Sequence, residues 1–279
     1  MEQARWARAR LGHGGPALHL LTASFDRHVY APHTHEEYTI GVTVGGREII
    51  DYRGGRVVSG PGSIVVLAPG ETHTGRPADD CAGYAYRALY APPALLTEGV
   101  LGEAALPDFG CAVLDDDPEL SRALRLAHTD LATCPDPLET ESRLPWLLTA
   151  LTHRHSTARP QPPRIPGAAA VAAAVRDRLA DDLLSPPSLA ALAADLDMSR
   201  YQLLRAFRTA MGLPPYAWLA QYRVGRARVL LERGLRPAEV AGLVGFADQA
   251  HLTRWFRRVL GVTPAAYRNS VQDTVRSAP

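Results

Sequence analysis

Hydrophobic positions in residues 17–93 fall into short runs, and turns that contain Gly and Pro punctuate them. The predicted strands cover residues 38–44, 47–52, 63–67 and 83–89, with Gly45-Gly46, Gly54-Gly55 and Pro69-Gly70 in the turns. Short strands at even spacing, each bounded by turn residues, are typical of antiparallel all-β domains. The pattern therefore predicts a jelly roll or a small β-barrel.

The hydrophobic period changes to that of a helix within residues 118–152. Apolar residues recur three or four positions apart in two groups, Leu120, Leu124, Ala127 and Leu131, then Leu144, Leu147, Leu148 and Leu151. This spacing predicts a pair of helices beside the barrel. The pair can pack onto the barrel or onto a second subunit, and we expect it to help form a homodimer.

A proline-rich stretch at residues 156–166 separates two halves of different charge. Proline disfavours helix, so this stretch predicts an extended linker between a domain at residues 1–160 and another at 167–279. Residues 1–163 carry 14 Arg against 20 Asp and Glu, whereas residues 164–279 carry 16 Arg against 9. A basic second domain indicates an anionic polymer as its partner. The sequence shows neither a secretory signal nor an apolar run of membrane-spanning length, so we expect a cytoplasmic protein that binds no membrane.

After the linker every segment has the pattern of a helix. The predicted helices cover residues 168–184, 189–196, a segment that follows Ser199, residues 216–233, a segment that begins at Pro237, and residues 249–260. Ser188, Ser199 and Asp248 are placed as N-caps, and Gln202 completes a capping box with Ser199. Gly234 and Gly261 end two of the helices.

This helical half contains an internal repeat. Leu203, Arg205, Phe207, Arg208, Gly212 and Pro215 recur 49 residues later as Leu252, Arg254, Phe256, Arg257, Gly261 and Pro264. Upstream of these, Leu192, Ala193, Leu196 and Met198 recur 48 residues later as Val240, Ala241, Val244 and Phe246, so the second turn holds one extra residue. Each copy is an apolar helix, a short turn and a capped helix, which is the pattern of a helix-turn-helix unit.

A recognition helix reads base edges in the major groove near its N-terminus, while flanking arginines contact phosphates. The predicted DNA-binding residues are Ser199, Arg200, Tyr201, Gln202, Arg205, Arg208, Gln249, Ala250, His251, Thr253, Arg254 and Arg257. We expect Leu204 and Ala250, which are apolar, to contact thymine methyl groups or no base. The helix predicted at residues 216–233 would span ~27 Å, which suits recognition helices in successive major grooves ~34 Å apart.

Residues 188–268 resemble the AraC/XylS family of transcription regulators. The resemblance rests on L-A-x-x-L-x-M-S, on R-x-x-x-A-x-x-L-L-E, and above all on the closing G-F-x-D-x-x-x-L-x-R-x-F-R-R-x-x-G-x-x-P-x-x-Y-R. It implies a ligand-responsive transcription regulator rather than an enzyme. The implied partners are double-stranded promoter DNA, a small-molecule effector, a second copy of the chain and RNA polymerase.

The first half carries histidines in a pattern similar to that of the cupins, H-x-H followed by P-G-x-x-H. The resemblance implies a fold of two domains, an N-terminal all-β cupin-like barrel with flanking helices and a C-terminal all-α double helix-turn-helix domain. The predicted effector-binding residues are His33, His35, Glu37, Tyr38, His73, Tyr84 and Tyr86.

Three interpretations of these histidines stay open. His33, His35, Glu37 and His73 could hold a divalent transition metal, since imidazole and carboxylate are competent ligands. The cupin glutamate would stand at Thr39 or Ile40, however, so Glu37 would need a bulge to coordinate. The histidines could instead bind an organic effector without metal, or hold only a structural role. The corresponding alternatives for the chain are a metal-dependent cupin enzyme or metal sensor fused to a DNA-binding domain, and a DNA-binding protein with a degenerate sensor.

Overall fold

The computed structural model describes residues 2–11, 15–97, 106–133, 137–157 and 165–276. The chain divides into two compact units, residues 1–134 with 143–164, and residues 135–142 with 165–279. The predicted linker lies largely at residues 158–164, outside the described residues. The domain bounds 1–160 and 167–279 therefore stay a prediction.

The first unit is built on two antiparallel β-sheets, as the short predicted strands indicate. Its strands are β1 (Gln3–Arg10), β2 (Ala17–Phe25), β3 (Tyr30–His33), β4 (Tyr38–Gly46), β5 (Glu48–Tyr52), β6 (Gly55–Ser59), β7 (Ile64–Leu67), β8 (His73–Pro77), β9 (Tyr84–Ala91) and β10 (Val113–Leu114). The six-stranded sheet has the order β1-β2-β9-β4-β7-β10, and the four-stranded sheet has the order β3-β8-β5-β6. This architecture confirms the predicted cupin-like β domain.

Strand β4 shows how one strand serves two faces of the six-stranded sheet. Tyr38 and Ile40 lie in the core on one face, where the sheet packs against helices. Thr39 and Gly41 point the other way and line a cavity. Since successive side chains of a strand alternate between faces, one strand contributes to both the core and the cavity.

Where the structure describes this region of the chain, it contains three helices, α1 (Pro93–Leu96), α2 (Pro118–Thr133) and α3 (Pro137–His155). Leu120 and Leu124 of α2 and Leu147 and Leu151 of α3 lie in the same core as the outer face of the large sheet. The predicted helical pair is thus present, and it packs onto the barrel. The first turn of α3 belongs to the second unit.

The second unit is helical along its described length. Its helices are α4 (Ala168–Asp181), α5 (Leu189–Asp195), α6 (Arg200–Met211), α7 (Pro215–Glu232), α8 (Pro237–Leu243), α9 (Gln249–Leu260) and α10 (Pro264–Arg276). The Ser188 hydroxyl accepts a hydrogen bond from the Ala191 amide at 3.1 Å, and the Asp248 carboxylate accepts one from the His251 amide at 2.6 Å. The predicted N-caps are confirmed. Helix α4 ends before the predicted residue 184, and α10 lies beyond the predicted helices.

The internal repeat is visible in the backbone of the two turns. The Met198 amide donates to the Ala193 carbonyl at 2.9 Å, and the Phe246 amide donates to the Ala241 carbonyl at the same distance. The residue before each amide is left-handed, with φ of 52° at Asp197 and 87° at Gly245. Both copies therefore end their first helix with the same hydrogen-bonded turn.

The buried side chain of Arg223 links the segment that follows α4 to the second helix-turn-helix copy. Arg223 of α7 is 1% exposed, and its Nε and Nη2 donate to the Leu183 carbonyl at 3.2 and 2.7 Å. The guanidinium also lies 5.8 Å from the centroid of the Phe246 ring. A buried guanidinium needs such partners because an unpaired buried charge is costly.

Candidate functional site

A cavity of about 200 Å³ lies in the first unit, and both sheets contribute to its wall. It is lined by Trp6, Tyr30, His33, His35, Thr39, Gly41, Val42, Glu48, Ile50, Val65, Leu67, His73, Thr74, Gly75, Tyr86, Ala88 and Tyr90. Most of these side chains are apolar or aromatic, and a few are polar, which is the usual composition of a small-molecule site.

Three of the predicted histidines come together in this wall. His33 of β3 and His73 of β8 are paired across the sheet, and their ring centroids are 4.3 Å apart. The His35 ring lies 4.9 Å from His33 and 5.1 Å from His73. One ring nitrogen of each lies within 4.8 Å of the others.

Backbone carbonyls orient two of these rings. Nδ1 of His33 lies 2.8 Å from the Ala31 carbonyl, and Nδ1 of His73 lies 3.0 Å from the Glu71 carbonyl. A carbonyl only accepts, so each Nδ1 donates and leaves the Nε2 atom as the acceptor of a neutral ring. Burial lowers the pKa of His73 to about 4 and also lowers the pKa of His35. The imidazoles of His35 and His73 are therefore neutral near pH 7.

A carboxyl group outside the predicted set also lines the cavity. Glu48, the first residue of β5, is 8% exposed, and among the described residues no donor or cation contacts its carboxylate. Burial raises the pKa of Glu48 to about 8. The strand pattern held a signal for it, because Glu48 shares one face of β5 with the hydrophobic Ile50 and Tyr52, and Ile50 also lines the cavity.

Aromatic side chains form another part of the wall. The hydroxyls of Tyr30 and Tyr86 are 3.0 Å apart, and the His35 ring meets the Tyr90 ring edge-on at 5.0 Å between centroids. Burial raises the pKa of Tyr86 and of Tyr90, so both phenols stay protonated. Trp6 is 56% exposed and its ring lies 5.1 Å from that of Tyr90.

Three predicted effector residues lie elsewhere. The Tyr38 hydroxyl donates to the Pro107 carbonyl at 2.8 Å, because Tyr38 points to the helix-covered face of the sheet. Tyr84 lies outside the cavity wall, packed with Phe25 and stacked on Tyr86. Glu37 is absent from the histidine cluster, and its carboxylate lies 3.9 Å from Nδ1 of His19. Of the predicted set, His33, His35, His73 and Tyr86 line the cavity.

In the second unit, α9 exposes most of its predicted DNA-binding side chains. Gln249, Ala250, Arg254 and Arg257 are exposed. Among the described residues, neither the Arg254 nor the Arg257 guanidinium has a hydrogen-bond or ion-pair partner. The half-buried Thr253 donates to the Gln249 carbonyl at 2.8 Å.

His251 was predicted to bind DNA, and its burial contradicts that prediction. Its side chain is 3% exposed, and its Nε2 lies 3.0 Å from the Tyr216 hydroxyl and 3.4 Å from the Glu139 carboxylate. Its place in the first turn of α9 suggested a base contact, but the helix turns this position into the protein core.

Fewer of the predicted DNA-binding side chains are exposed on α6, the equivalent helix of the first copy, than on α9. Arg200, Tyr201 and Arg205 are half-buried, whereas Arg208 is exposed. Nε and Nη1 of Arg205 are buried and have no hydrogen-bond acceptor among the described residues. Leu204, expected to meet a thymine methyl group or nothing, is 9% exposed and belongs to the core.

Ser199 and Gln202, which were predicted to bind DNA, also cap the N-terminus of α6. The Ser199 hydroxyl accepts from the Gln202 amide at 3.2 Å, and the Gln202 side-chain oxygen accepts from the Ser199 amide at 2.9 Å. The predicted capping box is confirmed. Both side chains are exposed, so the cap leaves the Gln202 side-chain NH₂ open to solvent.

Family comparison gives two separate matches along the chain. Residues 15–148 match the AraC-like ligand binding domain, and residues 192–270 match a helix-turn-helix domain. The chain belongs to the AraC family of transcription regulators. As an AraC-family regulator it responds to a ligand, binds DNA through its helix-turn-helix domain and is not an enzyme, which confirms these expectations.

The regulator is similar to two proteins over most of their length. The HTH-type transcriptional regulator YbfI of Bacillus subtilis strain 168 is 28% identical over 247 residues, which cover 85% of this chain and 87% of that protein. The arabinose operon regulatory protein of Escherichia coli K12 is 24% identical over 243 residues, 85% of this chain and 82% of that protein.

Among solved structures, the DNA-binding domain of AdpA in complex with a target DNA is 36% identical, with a TM-score of 0.36. That match covers 38% of this AraC-family chain and 97% of the solved chain.

None of the helices in the described part of the chain has the length and hydropathy needed to span a bilayer.

Proposed function

We propose that the regulator contacts promoter DNA with α6 and α9 in successive major grooves, and that α9 supplies most of the base and phosphate contacts. The observation that carries this proposal is the exposed face of α9, where Gln249, Arg254 and Arg257 lie on the first three turns. Gln can pair bidentately with adenine and Arg with guanine. The 18 residues of α7, which joins the two helix-turn-helix copies, would span ~27 Å.

The salt dependence of DNA affinity tests this assignment. Sites selected from a random duplex library would be titrated by fluorescence anisotropy at two salt concentrations. We expect log K to fall linearly with log salt, because each neutralised phosphate releases counterions. Arg257→Ala should lower the slope by about 1 if Arg257 contacts a phosphate. Absence of DNA binding at low salt would reject the proposal.

The cavity is proposed as the effector site, with His33, His35, His73 and Tyr86 from the predicted set and Glu48, Tyr30 and Tyr90 added to it. Bound effector changes DNA affinity only if it binds two states of the regulator unequally. The measurement is therefore DNA affinity with and without effector, repeated with a variant that blocks the cavity. Ala88→Trp would fill it, since Ala88 lines the wall and is buried.

We further propose a homodimer, and contacts of DNA-bound regulator with RNA polymerase in the cytoplasm. Helix α2 supports the dimer, because Leu126 on its outer face is 40% exposed. Sedimentation equilibrium measures the oligomeric state, and Leu126→Arg should shift it toward monomer. A monomer at micromolar concentration would reject the dimer and leave the DNA assignment in place.

A metal in the cavity is the second candidate, and the three imidazoles favour it. His33, His35 and His73 offer ring nitrogens within 4.8 Å of one another, and backbone carbonyls orient two of the rings. Such a set fits a divalent transition metal, which would supply an open coordination position to a ligand. Metal analysis of purified protein and of His33→Ala decides between the candidates. Stoichiometric metal that the variant loses would favour the metal sensor.

A further inference from the structure

We propose that the cavity selects an organic ammonium ion, which the Glu48 carboxylate holds as its counter-charge. This inference rests on the proposed effector role of the cavity and names the chemical class of the effector. An amine with a small aromatic or aliphatic body fits a cavity of about 200 Å³.

The first support is the isolation of Glu48. Its side chain is nine-tenths buried and lines the cavity, yet among the described residues no donor or cation contacts the carboxylate. A Cβ at Gly75 would lie 2.5 Å from Oε1 of Glu48, so the glycine leaves room for the carboxyl group. An unpaired carboxylate is unfavourable in this buried position, so Glu48 is mostly protonated in the ligand-free cavity near pH 7 and becomes a carboxylate when a ligand supplies the cation.

The second support is a set of wall atoms that are free to accept a hydrogen bond. Oγ1 of Thr39 is buried in the wall and has no hydrogen-bond partner among the described residues. His33 and His73 donate from Nδ1 to backbone carbonyls, so each presents Nε2 as an acceptor. An ammonium group has donors and no acceptor, so it complements this wall.

The third support is the absence of positive charge. No Arg occurs among the lining residues that the structure describes, and the chain has no Lys. Tyr30, Tyr86, Tyr90 and Trp6 also line the cavity, and aromatic rings attract a cation that lies over their faces. A carboxylate or phosphate ligand would find no counter-charge in this wall.

A series of three probes of similar shape tests the charge preference. Benzylamine, benzyl alcohol and benzoate would each be titrated into the full-length protein by calorimetry, with EDTA present so that no metal links a probe to the histidines. We expect benzylamine to bind at least tenfold more tightly than benzyl alcohol, and benzoate not to bind. Glu48→Gln should remove the preference for benzylamine.

Two further variants control the result. Asp51→Asn removes a carboxylate of the same strand that pairs with Arg56 outside the cavity, and it should leave the preference unchanged. Gly75→Ala keeps the Glu48 charge but places a methyl group against its carboxyl, and it should weaken benzylamine binding. If Glu48→Gln does not fold, Gly75→Ala carries the test.

The outcomes separate this inference from the proposed function. Equal binding of amine and alcohol, tighter binding of benzoate, or full retention of the amine preference in Glu48→Gln would overturn the ammonium assignment. If benzyl alcohol or benzoate binds at least as tightly as benzylamine and alters DNA affinity, the cavity is an effector site of another chemical class. Loss of all DNA binding at low salt would instead overturn the proposed function.

Discussion

The two helix-turn-helix copies have the same backbone conformation in their turns, but they differ in the residue that occupies the left-handed position. Asp197 and Gly245 occupy equivalent left-handed positions, and the amides that follow them make matching hydrogen bonds. Around Asp197 the turn tolerates a side chain. At Gly245 a Cβ would lie 2.7 Å from the Leu183 carbonyl and 2.8 Å from Nη2 of Arg223.

This difference shows that the turn and its surroundings impose separate demands. A positive φ favours glycine, yet Asp and Asn also tolerate it through local hydrogen bonds. The second copy packs its turn against the buried guanidinium of Arg223 and the segment that follows α4. The backbone conformation alone explains why the position is special, and the neighbouring atoms explain why the second copy has glycine.

Gly245→Ala gives the largest expected effect. The methyl group would meet a backbone carbonyl and a buried guanidinium in a left-handed conformation, so we expect a loss of about 3 kcal/mol in the free energy of unfolding. Urea denaturation measures this loss. Asp197→Ala is the matched control, since it brings only the conformational cost, about 1 kcal/mol. Equal losses in the two variants would break the proposed distinction between the turns.

The recognition helices differ in a related way. Arg254 is exposed and has no partner among the described residues, whereas its equivalent Arg205 is half-buried with two buried nitrogens that lack an acceptor. At the preceding position, Thr253 is half-buried and Leu204 belongs to the core. In this conformation most of the predicted base-contacting side chains of α9 are exposed, whereas the equivalent side chains of α6 are partly buried.

The DNA affinities of Arg254→Ala and Arg205→Ala test this difference. We expect Arg254→Ala to cost about 1–3 kcal/mol of binding energy, the value of a good base contact. Arg205→Ala should cost less, because its guanidinium is only partly accessible. Anisotropy titrations with one selected site measure both losses.

Arg176→Ala is the control for loss of positive charge alone, since Arg176 lies on α4 and pairs with Asp177. It should change affinity little at physiological salt. A larger loss for Arg205→Ala than for Arg254→Ala would show that α6 becomes the main reader on DNA.

The helical domain was predictable in detail because its signals are local. The capping box of Ser199 and Gln202, the Asp248 cap and the 49-residue repeat depend on spacings within one helix or between two copies. The burial of individual side chains was harder to predict than the helices and their caps. The sequence pattern did not show that His251 turns into the core, since that depends on Tyr216, 35 residues away.

The barrel was predictable as a fold but only partly as a site. Strand pairing placed His33 beside His73, as the cupin-like pattern implied. The face on which each tyrosine lies depends on the register of strands far apart in sequence, so Tyr38 and Tyr84 were assigned to the cavity wrongly. Glu48 was missed because it belongs to no motif, although it lies on a face of β5 whose other residues, Ile50 and Tyr52, are hydrophobic.

The N-caps give the smallest expected difference between the two copies. Ser199→Ala removes one hydrogen bond to the Gln202 amide, and Asp248→Ala removes one to the His251 amide; each loss should cost about 1 kcal/mol of stability. Asp248 also places a negative charge at the positive end of α9, which adds roughly 0.3–1 kcal/mol at low salt. The loss of stability in Asp248→Ala should therefore be larger than that in Ser199→Ala at low ionic strength. At high ionic strength the two losses should become similar, because salt screens the charge but not the hydrogen bond. Urea denaturation at both ionic strengths measures this gap, and Asp248→Asn, which keeps an acceptor without the charge, should lose only the part that salt removes. A gap that persists in high salt would mean that the caps differ in hydrogen-bond geometry rather than in charge.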